Sequence, residues 1–291
     1  MDNSLSTWLQ CRETADAAAR SAGLTRIIAG ALAAHDTVHV LDLATGRGSN
    51  VRYLAPRLPA RQRWLVVDRD AVLLAGLGEQ MSAWAADRSF GIDATGANEC
   101  VIRGEKLDCR VETRRLNLHS PDADIFAGRQ LVTASALLDL TSQAWLTALA
   151  VRCREVGAAA LFTITYNGST TCLPADPEDE LVRHLLNRHQ KTDKGLGGRA
   201  AGPDAAECVA RCFADTGYRV WIEPSDWILG PAEGDIQRFL VNGWAAAAVE
   251  VAPDAAFTIA RWRERRMAHI DAGRSQIVVG HSDVAACPPL D

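Results

Sequence analysis

Apolar positions along this chain alternate between two rhythms. Val38, Val40, Leu41 and Leu43 crowd into one short run, as do Trp64-Leu65-Val66-Val67, the stretch from Cys109 to Leu118, the stretch from Gln130 to Ala136, and the stretch from Ala158 to Tyr166. Runs of this density predict strands buried on both faces. Between them the apolar residues recur at helical spacing. Val51, Leu54, Ala55 and Leu58 form one set; Val72, Leu73, Leu77, Met81 and Trp84 form a second, behind Asp70 as its cap; Trp145, Leu146, Leu149, Ala150 and Cys153 form a third, behind Ser142. Strand and helix in regular alternation predict an α/β chain, a mostly parallel sheet with helices on both faces.

The flanks follow other patterns. Residues 1–36 are alanine-rich, with Trp8, Ala15, Ala19, Ala22, Ile27, Ile28 and Leu32 at helical spacing and Gly23 between two helices, which makes them a helical cap. Residues 87–107 carry Gly91, Gly96 and Gly104 among polar residues and are expected to be an irregular insertion, and Pro121 is expected to break the pattern after the third strand. After Tyr166 the rhythm changes. Asp176-Pro177-Glu178-Asp179 marks a helix start, with the helix running to about Gln190. Lys194-Gly195-Leu196-Gly197-Gly198-Arg199 is a glycine-rich loop, and Gly202-Pro203 opens a helix that Gly217 ends. A sixth strand is expected at Tyr218 to Ile222, continuing through Trp227-Ile228-Leu229. Helices at 233–249 and 254–270 and a last strand from Ser275 complete the chain. With no internal repeat and no low-complexity linker, 1–291 reads as one domain: cap 1–36, core 37–166, lid segments 167–204 and 230–270, and closing strands 218–229 and 275–284.

Composition narrows the function. A formal net charge of -5, with 31 basic and 36 acidic residues, argues against a nucleic-acid backbone as partner. The local basic run Arg261-Trp262-Arg263-Glu264-Arg265-Arg266 reads as the solvated face of a helix. The start lacks a basic region followed by an apolar one, and no apolar run approaches the roughly 20 residues of a membrane span, so a cytoplasmic protein with no membrane partner is expected. The 8 cysteines contain no CxxC pair, and Cys208 and Cys212 are one helical turn apart, which favours buried reduced thiols over a metal site.

The chemistry concentrates where the first strand breaks into a glycine turn, Asp42-Leu43-Ala44-Thr45-Gly46-Arg47-Gly48. Strand, glycine turn and helix let a ligand approach the backbone closely. A dinucleotide site wants G-x-G-x-x-G, but Val51 occupies the third glycine position. Asp42 would also repel a pyrophosphate, whereas its charge favours a sulfonium ligand that carries an ammonium group.

These residues resemble the first motif, E/D-x-G-x-G-x-G, of the Rossmann-like (class I) S-adenosylmethionine-dependent methyltransferases, with Ala44 in place of the first glycine. Asp68, ending the second strand, is similar to the family's ribose-binding acid, and Asn117-Leu118 to its adenine-reading pair. Thr133-Ala134-Ser135-Ala136-Leu137-Leu138-Asp139 occupies the place of its fourth motif. The resemblance covers residues 38 to 166. It implies a three-layer Rossmann-like sandwich with a mostly parallel seven-stranded sheet, an antiparallel last strand and helical lid elements. It also implies S-adenosylmethionine as cofactor, S-adenosylhomocysteine as product, and in-line transfer of the methyl group to an oxygen or nitrogen atom. The cofactor-binding set it points to is Asp42, Ala44, Gly46, Gly48, Asn50, Asp68, Arg69, Asn117, Leu118, Ala134 and Ser135, with Arg20 and Arg47 as candidate partners of the cofactor carboxylate.

Candidate catalytic residues lie at strand ends and in the lid. Asp139 is placed to orient or deprotonate an acceptor, or else to start a helix turn. Tyr166 either packs the substrate or closes the sheet. His189 is a base titrating near neutrality or a residue at the core edge. Trp145, Trp227 and Trp244 are candidates for an apolar pocket. Lid segments without a basic aromatic stripe favour a small organic acceptor over a nucleic acid, with a protein side chain second. A nicotinamide-dependent oxidoreductase and a catalytically silent cofactor-binding protein remain the competing classes. No metal site is expected.

Overall fold

The computed structural model describes residues 3–96, 98–120 and 123–289; Met1, Asp2 and Pro121 lie outside these. The apolar runs become neighbouring strands: β1 (Val38–Leu43), β2 (Arg61–Asp68), β5 (Leu107–Arg115), β6 (Leu131–Ser135) and β7 (Ala159–Leu173). Between β2 and β5 lie β3 (Gly91–Gly96) and β4 (Glu99–Gly104), and the chain closes with β8 (Arg219–Pro224), β9 (Trp227–Leu229) and β10 (Gln276–Cys287). The 10-stranded sheet runs β3-β4-β5-β2-β1-β6-β7-β10-β8, with β9 paired to β10. From β5 to β7 every pairing is parallel, and β10 is antiparallel to β7 and β8.

Helices cover both faces of this sheet. On the chain they are α1 (Asn3–Ala19), α2 (Ala22–Ala31), α3 (Ser49–Leu54), α4 (Ala71–Asp87), α5 (Ala123–Phe126), α6 (Gln143–Val156), α7 (Asp179–Gln190), α8 (Ala205–Asp215), α9 (Gly234–Val251) and α10 (Ala256–Asp271). The expected caps form: the Asp70 carboxylate accepts from the Val72 and Leu73 amides, and the Ser142 hydroxyl from the Trp145 amide. No helix among the described residues is long and apolar enough to cross a membrane. The Rossmann-like sandwich is therefore present, with the seven expected strands in place, the sixth divided into β8 and β9, and β3 and β4 added.

The two added strands overturn the irregular insertion expected at 87–107. Cys100, Val101 and Ile102 are buried on β4, which pairs antiparallel with β3 on one side and β5 on the other. The glycines sit at the ends of this hairpin and hid its short apolar run. A second correction concerns the basic run. Arg266 is fully buried: its Nε donates to Asp179 Oδ1 (3.0 Å), its Nη1 donates to the Pro174 carbonyl (2.7 Å), and its Nη2 pairs with Asp179 Oδ2. Trp262, one turn before it, donates to Asp179 Oδ1 at 2.8 Å. The two side chains share the inward face of α10, so only part of the run is solvated. Asp179 thereby ties the start of α7 to α10, and these helices with α9 cover a core containing Tyr166, Trp227, Trp244 and Trp262.

The strand order reverses between β1 and β6, which opens a crevice beyond their carboxyl ends, the usual ligand position in open α/β sheets. The ion pair between α7 and α10 is essential to that layer, because removing Asp179 strands the buried Arg266 charge. Asp179→Ala should lose about 3 kcal/mol of stability in urea unfolding; a loss below about 1 kcal/mol would show that the pair does not hold α7 and α10 together.

Candidate functional site

The glycine turn is built by backbone constraint. Immediately after β1, Ala44 takes φ +53°, Gly46 +56° and Gly48 +76°. The left-handed region costs a non-glycine residue roughly 1–2 kcal/mol, so Ala44 holds a conformation that glycine would adopt freely. Gly48 directly precedes α3, and a Cβ there would lie 2.4 Å from Met81 Cε of α4. Asp68 at the end of β2 fastens the turn: Oδ2 accepts from the Gly46 amide (2.8 Å) and Oδ1 from the Asp70 amide (2.9 Å). A carboxylate has about four lone-pair sites, so two amide bonds leave Asp68 capacity for further donors.

Behind the turn runs a buried polar chain. The Asn50 amide nitrogen donates to Asp42 Oδ1 (2.6 Å) and to Thr133 Oγ1 (3.1 Å), and the Thr133 hydroxyl donates to the Leu161 carbonyl (2.7 Å). Arg20 Nη1 donates to Asn50 Oδ1 (2.7 Å), and Nη2 to the Ser135 hydroxyl (3.0 Å). Asp42 is fully buried, and neither its Oδ2 nor Thr45 Oγ1 completes a hydrogen bond. Burial pushes the Asp42 carboxyl up to about 6, against the pull of the neighbouring Thr45 hydroxyl first, then of Asn50 and Arg20. Burial likewise lowers the Arg20 pKa, with Asp16 the leading opposing charge.

A cavity of about 310 Å³ opens onto this arrangement. Ala44, Gly46, Asn50, Asp42, Asp68, Arg69, Leu118 and Ser135, all singled out from the sequence, line it, as does Arg47. Gly48 stands behind it at the start of α3, and Ala134 is buried in β6. Arg20 lies behind the wall, holding Asn50 and Ser135. Asn117 is exposed, its Oδ1 accepting from the His119 amide at 3.2 Å. The opposite wall is apolar, formed by Leu73, Leu116, Leu137, Leu140 and Leu196. Leu5, Leu9, Arg12 and Asp16 of α1 close the cavity together with Lys194 of the glycine loop.

A second cavity, of about 470 Å³, adjoins the first and shares Arg12, Ala136 and Leu140 with it. The three candidate catalytic residues meet here: Asp139, Tyr166 and His189 all line it, as do Trp227 and Trp244. Trp145 instead lies in the core, donating to the Leu118 carbonyl at 2.8 Å. Burial raises the Asp139 carboxyl to about 6, with Arg12 and Lys194 among the opposing influences. The Tyr166 hydroxyl donates to Asn187 Oδ1 at 2.9 Å, and burial raises its pKa, so it stays protonated. His189 Nε2 lies 2.9 Å from Glu250 Oε2.

Arg12, Asp16, Lys194 and His281 were missed in the sequence. Arg12 and Asp16 form an i,i+4 pair on α1, a signal that was legible but reads equally well as surface stabilisation. His281 lines the second cavity against Trp227 at 4.8 Å between ring centroids, and burial lowers its pKa to about 3, with Arg12 adding to the shift. Asp283 is the other omission. Its Oδ1 accepts from the amide of Ile164, held at φ +55°, and its Oδ2 from the Ser21 amide ahead of α2, both at 2.8 Å.

No protein-family model matches the chain, and no curated protein matches it in sequence. Solved structures do. A cyclopropane-fatty-acyl-phospholipid synthase-like protein from Lactobacillus casei matches with a TM-score of 0.53 and 11% identity, over 98% of this chain and 94% of that one. An S-adenosylmethionine-dependent methyltransferase from Thiobacillus denitrificans, solved with S-adenosylhomocysteine, matches with a TM-score of 0.47 and 10% identity, over 99% of each chain. At such identities the first likeness shows the fold. The fold is Rossmann-like.

Asp42 generates a stability prediction with a definite sign. Its folded pKa stands above its unfolded value, so its ionised form opposes folding above about pH 6 and ceases to matter below about pH 4. An asparagine keeps the acceptor for Asn50 and offers a donor to Thr45 Oγ1. Asp42→Asn should therefore raise the melting temperature of the ligand-free protein at pH 8, by a margin that shrinks as pH falls towards 4. A variant less stable than the parent at pH 8 would contradict the assignment.

Proposed function

We propose that this chain is an S-adenosylmethionine-dependent methyltransferase acting on an oxygen or nitrogen atom of a small organic molecule. The observation that carries the reading is Asp42, a buried carboxylate with one oxygen unpartnered, set in the wall of a cleft beside a glycine turn. An ammonium group satisfies such an oxygen, and a pyrophosphate is repelled by it. Val51, where a dinucleotide site needs a third glycine, is fully buried in the core. The silent-binder reading is disfavoured by the second cavity, which adjoins the first and is lined by Asp139.

The residues fit the cofactor group by group. Asp42 and Thr45 suit its ammonium, Asp68 its ribose hydroxyls, and Leu116, Leu118 and Leu137 the flat apolar face of its adenine. Arg47 and Arg69 suit its carboxylate. When bound, the sulfonium supplies an activated methyl group and its own leaving group. What remains for the chain is alignment, dryness and proton management. Leu9 on α1 and Leu196 on the glycine loop exclude water from the cleft. Asp139, with its carboxyl poised near 6, accepts the acceptor's proton at a carboxylate oxygen. Tyr166, kept neutral and bound to Asn187, shapes the cavity and takes no proton. His189, occupied by Glu250, borders the far side.

Calorimetric titration distinguishes the classes. S-adenosylhomocysteine should bind and NAD should not, and Asp68→Ala should weaken the former at least about tenfold, the loss expected for hydrogen bonds to a charged group. Binding of NAD alone, or an unchanged affinity in Asp68→Ala, would overturn the reading.

A further inference from the structure

The wall between the two cavities is governed by one side chain. Arg12 lines both cavities, and two of its three guanidinium nitrogens are committed: Nε donates to Asp16 Oδ2 (2.9 Å) and Nη2 to Asp16 Oδ1 (3.2 Å). Asp16 is itself fixed on its other side, because Oδ1 also accepts from Trp227 Nε1 at 3.1 Å. The guanidinium plane is held between indoles, 5.8 Å from the Trp8 ring centroid and 5.2 Å from that of Trp227. Nη1 has no partner among the described residues. An arginine pinned in this way presents a fixed pair of N–H donors at the passage.

The surroundings of that donor choose the ligand. The larger cavity is walled by the rings of Trp8, Tyr166, Trp227, Phe239 and Trp244, a lining suited to a planar aromatic body. Arg12 is the charged group at the shared wall; Lys194 lines the first cavity and Asp139 the second, and both cations lie close enough to act on Asp139, with Asp16 already consumed by Arg12. Two cations beside one carboxylate disfavour an ammonium ligand. They favour a group that accepts from Arg12 and donates to Asp139 at the same time, and a hydroxyl does both with one oxygen.

We propose that the 470 Å³ cavity takes a planar aromatic molecule bearing a hydroxyl group, whose oxygen accepts from Arg12 Nη1 while its O–H donates to the Asp139 carboxylate. Arg12 is then the residue that sets specificity, and the cavity's ligand is the acceptor of the methyl-transfer reading on which its naming as acceptor rests. The hydroxyl is placed at the passage to the cofactor cleft, and the ring lies among the indoles.

Equilibrium binding of three probes tests this without any turnover: 2-naphthol, naphthalene and 2-naphthylmethylamine, with S-adenosylhomocysteine titrated separately. In the parent protein 2-naphthol should bind at least about tenfold more tightly than either of the others, the effect of a hydrogen bond to a charged group. Arg12→Gln should erase that preference while naphthalene binding is kept. Because Arg12→Gln also frees Asp16, a second variant guards the test. Ala247 lines the cavity from α9, and Ala247→Phe should abolish 2-naphthol binding yet leave S-adenosylhomocysteine affinity unchanged. The proposal is overturned if the amine binds most tightly, if the hydroxyl preference survives in Arg12→Gln, or if 2-naphthol fails to bind the parent protein. Failure of 2-naphthol with S-adenosylhomocysteine still bound removes the acceptor class and leaves the methyl-transfer reading. Binding of 2-naphthol with no S-adenosylhomocysteine bound supports the cavity assignment and removes that reading.

Discussion

A carboxylate at the end of a buried strand must find partners, and the way Asp42 finds them dictates much of this molecule. Its Oδ1 accepts from Asn50, on the first turn of α3, which ties α3 to the end of β1. Asn50 in turn is held by Arg20, reaching in from the segment between α1 and α2. Arg20 also binds Ser135 at the end of β6. One chain of hydrogen bonds thus gathers β1, α3, β6 and the N-terminal helices around a single cleft. Networks of this kind are worth having only when nearly complete, because each open position in a low-dielectric interior is costly. The open position here is Asp42 Oδ2, on a residue that lines the cleft.

Strain collects at the same edge of the sheet. Ala44, Ala136 and Ile164 all carry positive φ, and each follows or interrupts a strand that reaches the cavities: β1, β6 and β7. For a β-branched residue such as Ile164 this conformation is a true outlier. It persists because Asp283 accepts from its amide and a buried antiparallel pairing with β10 surrounds it. Strain of this sort is retained where surrounding structure over-determines it, and such places cluster at ligand sites. Of the three, Ala44 lines the cleft, Ile164 the aromatic cavity and Ala136 both.

Much of this was legible in the order of residues. Local density of apolar residues sufficed for β1, β2, β5, β6 and β7, because strands buried on both faces leave an uninterrupted apolar run. The β3–β4 hairpin was not legible, since its apolar stretch is short and framed by Gly91, Gly96 and Gly104. At the cleft, Asp42, Gly46 and Asp68 stood out by type and spacing, because backbone approach and hydroxyl recognition demand those residues locally. Arg12 and His281 did not, because their meaning depends on Trp227, which the fold brings to both from elsewhere in the chain. Arg266 shows the opposite error. A charge in a basic run reads as solvated, and only the packing of α10 against α7 reveals it as buried.

The central claim is that Asp42 is the counter-charge for a cationic cofactor, and proton linkage tests it most directly. S-adenosylhomocysteine should be titrated calorimetrically at pH 6 and pH 8, each in two buffers of different ionisation enthalpy. Ionisation of Asp42 on binding predicts release of about half a proton at pH 6 and almost none at pH 8, with the release at pH 6 falling sharply in Asp42→Asn. Binding without proton release at pH 6, or a release unchanged by Asp42→Asn, would contradict the account.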